Sequence, residues 1–412
     1  MNKFKLVAYG FLSGYIYCFL TITLQAVFAT LGYDISFISS LVFALLPYSF
    51  KFLWSGFADS VEKENIEYLI SFFALLICLS FVVLIFFSKI TMLIFMLMLF
   101  NIAFLGACFD ILTDLNLIKN FSDEKRPFFL SYYIGGWRLS SIFAGGAVLF
   151  IFNNLFDKNI DFLFLFSSFI FFIFLNIFNF TEIKKILEFI SKNKLYFFLI
   201  IPCTCFLFIL KTSFNNFKES LIIFLNLKEF YVYSLFYKLF DLTLSSFVVV
   251  FFIKELKLSI EFFGVINTII PLLSILILSH LWKFTSKIFS LKKIMLYSLL
   301  IKSITIMIFM LLNFLSLNSN LLLLIAFILN VFSSSFITYT YSNYIMQSVQ
   351  GDNSSFKYSI LSSLPMLLLI VSVPFASILI SKYNWSIFFI FILFLQIFSY
   401  LSINNMDLKK TK

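Results

Sequence analysis

Of the 412 residues, 62% are apolar and only 12% charged, against ~25% charged in a typical soluble domain. With a mean hydropathy of +1.04, this composition excludes a soluble globule. The net charge of +10 reads as lysine anchoring at an inner leaflet, since nucleic-acid binding needs a basic patch on a soluble face. No Gly-rich phosphate loop ending in Lys-Ser/Thr occurs, so the chain is not itself an ATPase. Its five Cys and single His form no metal-ligating spacing, and no cofactor is expected.

Twelve apolar segments long enough to cross a bilayer are predicted at 6–30, 37–57, 69–88, 91–115, 128–152, 160–181, 231–253, 260–280, 294–315, 319–345, 358–381 and 385–403. The first is too long for the apolar core of a cleavable leader and reads as a permanent span. The two halves share a spacing: Leu6 and Tyr231 open corresponding spans 225 residues apart, and Phe37/Phe262, Leu69/Ile294 and Ile160/Trp385 follow closely. Six spans repeated in parallel predict an all-α membrane protein of the major facilitator superfamily. Its parts would be a bundle over 1–181, a linker over 182–230, and a second bundle with a short basic tail over 231–412.

Within the linker, 195–211 is apolar but predicted not to cross. With the N-terminus in the cytoplasm and 195–211 at the inner interface, 21 of the 30 Lys and Arg fall inside, five outside and four within spans. A crossing would leave 13 on each side, with no positive-inside bias. Both termini are therefore expected in the cytoplasm. His280, at the inner end of its span, reads as a capping or interfacial histidine. Pro47 and Pro271 hold near-equivalent repeat positions and are expected to kink their helices.

Ionisable groups inside spans are costly and mark candidate sites. They are Lys51, Asp110, Asp114, Arg138, Lys238, Asp241 and Lys302. Asp110 and Asp114 lie four apart on one helix face. Two carboxylates that close disfavour double ionisation, so the pair can carry a coupling proton, with Asp241 the next candidate. The alternative is that both simply pair with Arg138 and Lys51. Arg138 with Lys51 suits an anionic substrate group, and Lys238 reads as a partner of Asp241 or of a group across the bundle. Lys302 is expected to snorkel to the inner surface. Gly135, Gly136, Gly145 and Gly146 permit close helix packing, or a contact that rocks during transport.

Several stretches resemble the AmpG family of muropeptide permeases, to which acetyl-CoA transporters are related. They are Gly10-Phe-Leu-Ser-Gly14 with Thr23-Leu-Gln-Ala26, Leu46 to Asp59 (LPYSFKFLWSGFAD), Ala107 to Asp114 (ACFDILTD), Gly136 to Ala147 (GWRLSSIFAGGA), and Tyr237-Lys-Leu-Phe-Asp241. The chain departs from the family pattern at Phe109 (usually Gln), Phe240 (usually Gly) and Gly56 (commonly Pro). The resemblance implies a proton-driven importer of anhydromuropeptides, working as a monomer in a bacterial inner membrane. It adds Gln25 to the substrate-binding candidates Lys51, Arg138 and Lys238, and Asp59 to the conformational ones. Another anionic metabolite, such as an acyl-CoA, nucleotide or pterin, is the alternative substrate. A membrane enzyme would need a polar catalytic cluster near one surface, which the sequence does not offer.

Overall fold

A computed structural model describes residues 3–55, 58, 61–87, 91–121, 126–155, 158–179, 228–273, 289–314, 320–349 and 354–404. Ten of its helices are long and apolar enough to cross a membrane. They are α1 (Lys3–Thr30), α2 (Ile35–Leu53), α3 (Lys63–Phe86), α4 (Met92–Asn120), α5 (Tyr132–Asn154), α7 (Phe230–Glu255), α9 (Leu291–Phe314), α10 (Leu321–Ile345), α11 (Phe356–Lys382) and α12 (Trp385–Ile403). Two shorter apolar helices, α6 (Ile160–Phe174) and α8 (Ile260–Leu273), stand where the remaining spans are predicted. The linker segment 195–211, His280 and Asp59 lie outside the described residues.

Helices α1 and α7 open the two halves and are the most enclosed: 83% and 78% of their apolar windows are buried, against 39–56% for the other eight long helices. These two therefore form the centre, and the rest present one face to lipid. Phenylalanine serves both environments. Phe86 and Phe314 are 73% and 76% exposed, whereas Phe19, Phe81, Phe164 and Phe171 are fully buried. Phe19 and Phe81 meet edge to face at 5.1 Å. Lipid is as apolar as phenylalanine, so these contacts act through close packing more than through exclusion of water.

The two central helices and some of their neighbours are locally irregular. Each of α1, α5 and α7 contains a π-helical turn, at Phe19–Thr23, Phe143–Ala147 and Phe251–Glu255. Such turns shift the register of the side chains beyond them and recur at functional sites. In α2, 3-10 turns at Leu41–Leu45 and Lys51–Leu53 flank a short α run whose first turn holds Pro47. The missing N–H and the ring clash of proline break the ladder there, as expected. Helix α7 is also interrupted at Tyr237 and Lys238, between Lys228–Phe236 and Leu239–Val250.

Glycines set the closest approaches. A Cβ on Gly10 would strike the Tyr133 carbonyl, and one on Gly136 the Val7 carbonyl, so α1 and α5 cross nearly backbone to backbone. Gly145 and Gly146 abut Asn267 and Thr268 of α8 in the other half, while Gly135 has open space around it. The same end of the molecule holds two polar ties between halves: Asn153 Nδ2 donates to Glu261 Oε1 at 2.8 Å, and Lys254 Nζ to the Tyr33 carbonyl.

Candidate functional site

The charges within the spans separate into two groups. The first lies between α2 and α4. Lys51, in the final 3-10 turn of α2 and 5% exposed, donates to Asp110 Oδ2 at 2.8 Å. Asp110 Oδ1 accepts from Ser13 at 2.7 Å and from Tyr133 at 3.1 Å. Tyr133 also shares a hydrogen bond with Thr113. The Lys51 ammonium stands 6.0 Å from the ring centre of Tyr358 on α11, so this cluster touches the other half. Asp114, one turn beyond Asp110, is 6% exposed, and among the described residues no side chain donates to it. The two carboxylates are thus unequal: one is held by three donors and the other by none.

The second group lines a cavity of about 160 Å³ enclosed by α1, α5, α7, α8 and α10. Tyr17, Arg138, Lys238, Asp241, Asn267 and Asn330 contribute to its wall. Asp241 is satisfied by Lys302 at 2.6 Å and by the Ser334 hydroxyl at 2.7 Å. Lys302 donates in addition to Asn330 Oδ1 at 2.7 Å and to Ser334 Oγ at 2.6 Å, and is 0% exposed. This corrects two expectations: Lys302 does not snorkel to a surface, and the ion-pair partner of Asp241 is Lys302, not Lys238. Lys238 rests 5.7 Å from the ring centre of Tyr341, and Arg138 stands 5.6 Å from that of Trp137. Among the described residues neither makes an ion pair, and neither side chain makes a hydrogen bond to protein. Arg138 therefore does not pair with Asp110 or Asp114.

Local sequence explains the placement. Lys238 sits at the break in α7, where Leu239–Val250 begins a new helix with Asp241 in its first turn. Interrupted spanning helices turn a positive helix end toward the middle of the membrane, where it suits an anion. Arg138 lies one turn before the π-helical turn of α5 and beside Ser141, another cavity residue.

Of the remaining candidates, Lys51 belongs to the Asp110 cluster and is not among the residues lining the cavity. Gln25, 4% exposed, sets its amide 2.8 Å from the carbonyls of Thr21 and Ser246, and with its nitrogen turned toward them it ties α1 to α7. Gly136 is a packing contact within the first half, whereas Gly145 and Gly146 contact the second half. Phe109 is fully buried and meets Tyr9 edge to face at 6.5 Å, within the core of its half. The sequence reading missed Asn330 and Ser334. Their signal was present as an i, i+4 polar pair inside the apolar run of α10.

No family model and no curated protein sequence matches this chain. Solved structures do resemble it. A mutant of the peptide transporter POT is similar over 98% of this chain and 93% of its own, with a TM-score of 0.64 at 12% identity. The nucleoside transporter NupG gives 98% and 99%, a TM-score of 0.64 and 14% identity. A D-xylose-proton symporter gives 100% and 98%, a TM-score of 0.64 and 14% identity. Similarity over the full length at such low identity establishes the fold. The chain is an all-helical, multi-pass membrane protein that shares the fold of these solved transporters.

Proposed function

We propose that the chain is a secondary active transporter that carries a small anionic solute together with a proton. One observation carries the reading: Arg138 and Lys238 face the same cavity between the halves, and neither has a carboxylate of its own. A cation inside a membrane span without a partner is costly, so two of them facing one space suit a ligand that brings the missing negative charge. Serines, asparagines and the Tyr17 and Trp137 rings around them suit a solute with a polar body. At about 160 Å³ the cavity is smaller than the ~300–1,000 Å³ usual for ligand pockets. The halves would have to part to admit a solute of any size.

The proton is assigned to Asp114. Asp110 and Asp241 are each engaged by a lysine, whereas among the described residues no side chain donates to Asp114. The resemblance to AmpG permeases favours anhydromuropeptides as the solute, because their carboxylates match the paired cations, and a bacterial inner membrane as the location. Nucleotides, acyl-CoA and pterins share the anionic character. The test is uptake by the purified chain in proteoliposomes, with labelled anhydromuropeptide and these anions compared with and without an inward pH gradient. Gradient-driven accumulation of an anion is expected. Accumulation of neutral solutes alone would sink the reading.

A further inference from the structure

On the membrane-facing side, away from the central cavity, α9 and α12 part to leave a groove of about 590 Å³. Leu296, Leu300, Met307 and Ile397 line its length, with Lys293 at one end and Gln396 in its wall. Tyr297 and Tyr400 border the same groove, half exposed at 49% each. Tyr297 stands one turn from Lys293, an arrangement that suits the polar boundary of a bilayer.

Two features make this more than an apolar cleft. The first is charge. Helix α9 has no acidic residue in its first turn, where the macrodipole favours one, and instead carries Lys292 and Lys293. Lys293 is exposed and, among the described residues, has no partner. The N–H groups of a helix start together with Lys293 suit an anion. The second feature is Gln396. It is 6% exposed and donates through Nε2 to the Leu299 carbonyl at 2.6 Å. Its Oε1 is buried in the groove wall without a donor. Leu299 lies six residues beyond Lys293, ~9 Å along the helix, so the orphan acceptor stands just below the charged end.

We propose that this groove binds an anionic phospholipid of the leaflet that the lysine distribution assigns to the cytoplasm. The phosphate sits at Lys293 and the start of α9, an acyl chain follows Leu296, Leu300, Met307 and Ile397, and the hydrated ester region below the phosphate supplies a donor to Gln396. Basic pockets between spanning helices on the cytoplasmic side recognise lipid headgroups in this manner. The site is independent of the transported solute.

The test uses the full chain in lipid nanodiscs doped with phosphatidylglycerol carrying a photoactivatable acyl chain, or with phosphatidylcholine bearing the same chain. Cross-links are mapped by mass spectrometry. Phosphatidylglycerol should label peptides from α9 and α12 in preference to phosphatidylcholine. Lys293→Gln should reduce that labelling about fivefold, from the interaction of one lysine with an anionic lipid surface. Leu300→Trp, at a position 60% exposed to the groove, should block labelling by filling the space without disturbing the interior. Equal labelling by both lipids, or labelling indifferent to Lys293→Gln, would overturn the proposal. Efficient disulfide formation between copies carrying Leu300→Cys would assign the groove to a second copy of the chain instead.

Discussion

Arg138→Gln separates a ligand-binding cation from a structural one. In the protein as it stands, the guanidinium makes no ion pair among the described residues, so its removal orphans no carboxylate and lifts the cost of holding a charge in the membrane. Membrane level and thermal stability should be unchanged or slightly raised. The bound anion, in contrast, loses a charge-assisted contact of about 1.5–3 kcal/mol, which is about a 10- to 150-fold weaker Kd. Arg138→Lys should fall between, because lysine keeps the charge and loses the bidentate fork. The assay is equilibrium binding of whichever anion is accumulated in proteoliposomes, beside thermal unfolding of the same preparations. Unchanged affinity in Arg138→Gln would refute the anion site. A stability loss of several kcal/mol with unchanged affinity would show that Arg138 has a protein partner.

The other charges should behave differently. Asp114→Asn should leave the fold and gradient-free solute exchange intact while abolishing accumulation driven by a pH gradient; normal pH-driven accumulation would move the proton elsewhere. Asp110→Asn strips Lys51 of its carboxylate and should destabilise the protein measurably in thermal unfolding. Lys302→Met leaves Asp241 buried and uncompensated, at a cost of about 3–5 kcal/mol, and the double variant Lys302→Met/Asp241→Asn should recover most of it; a double variant no more stable than the single would show that the pair is not coupled. Gly146→Val places a side chain against Thr268 and should hold the halves apart at that end, read as increased labelling of a cysteine at Asn267 by a thiol reagent. Cysteines at 192, 218 and 410 should resist an impermeant thiol reagent added from outside, and outside labelling at 218 would show that 195–211 crosses the membrane.

The fold was legible because lipid leaves the backbone few options: a segment of about 20 apolar residues must satisfy its own hydrogen bonds as a helix. Apolar runs placed the ten long helices and the two shorter ones among the described residues for the same reason. The pairing of Lys51 with Asp110 was within reach too, since both come late in spans that run the same way. Lys302 was misread for a local reason. Its helix begins at Leu291, ahead of the predicted start at 294, so Lys302 stands ~16 Å along it, deeper than a snorkelling lysine. Its bond to Asp241 then joins α9 to α7, and contacts between helices leave no trace in the spacing along one of them. The separation of Asp110 from Asp114 was hidden similarly, because Ser13 and Tyr133 come from α1 and α5.

The corrected pairing links the two groups through their charge. Four cations, Lys51, Arg138, Lys238 and Lys302, face three carboxylates. Lys51 with Asp110 and Lys302 with Asp241 cancel. What remains is Asp114 in one cluster, and Arg138 with Lys238 in the other. With Asp114 ionised the empty site carries one surplus positive charge, and with Asp114 protonated it carries two. On the proposed roles, a singly charged anion balances the first state and a doubly charged anion the second. Net charge in a low-dielectric interior is costly, so a solute with two carboxylates is carried most cheaply when Asp114 also holds a proton. The valence of the solute, more than any direct contact between the clusters, would then decide whether a proton travels with it. Neither group could impose that coupling alone: the cations select the anion, and the unsupported carboxylate adjusts the total.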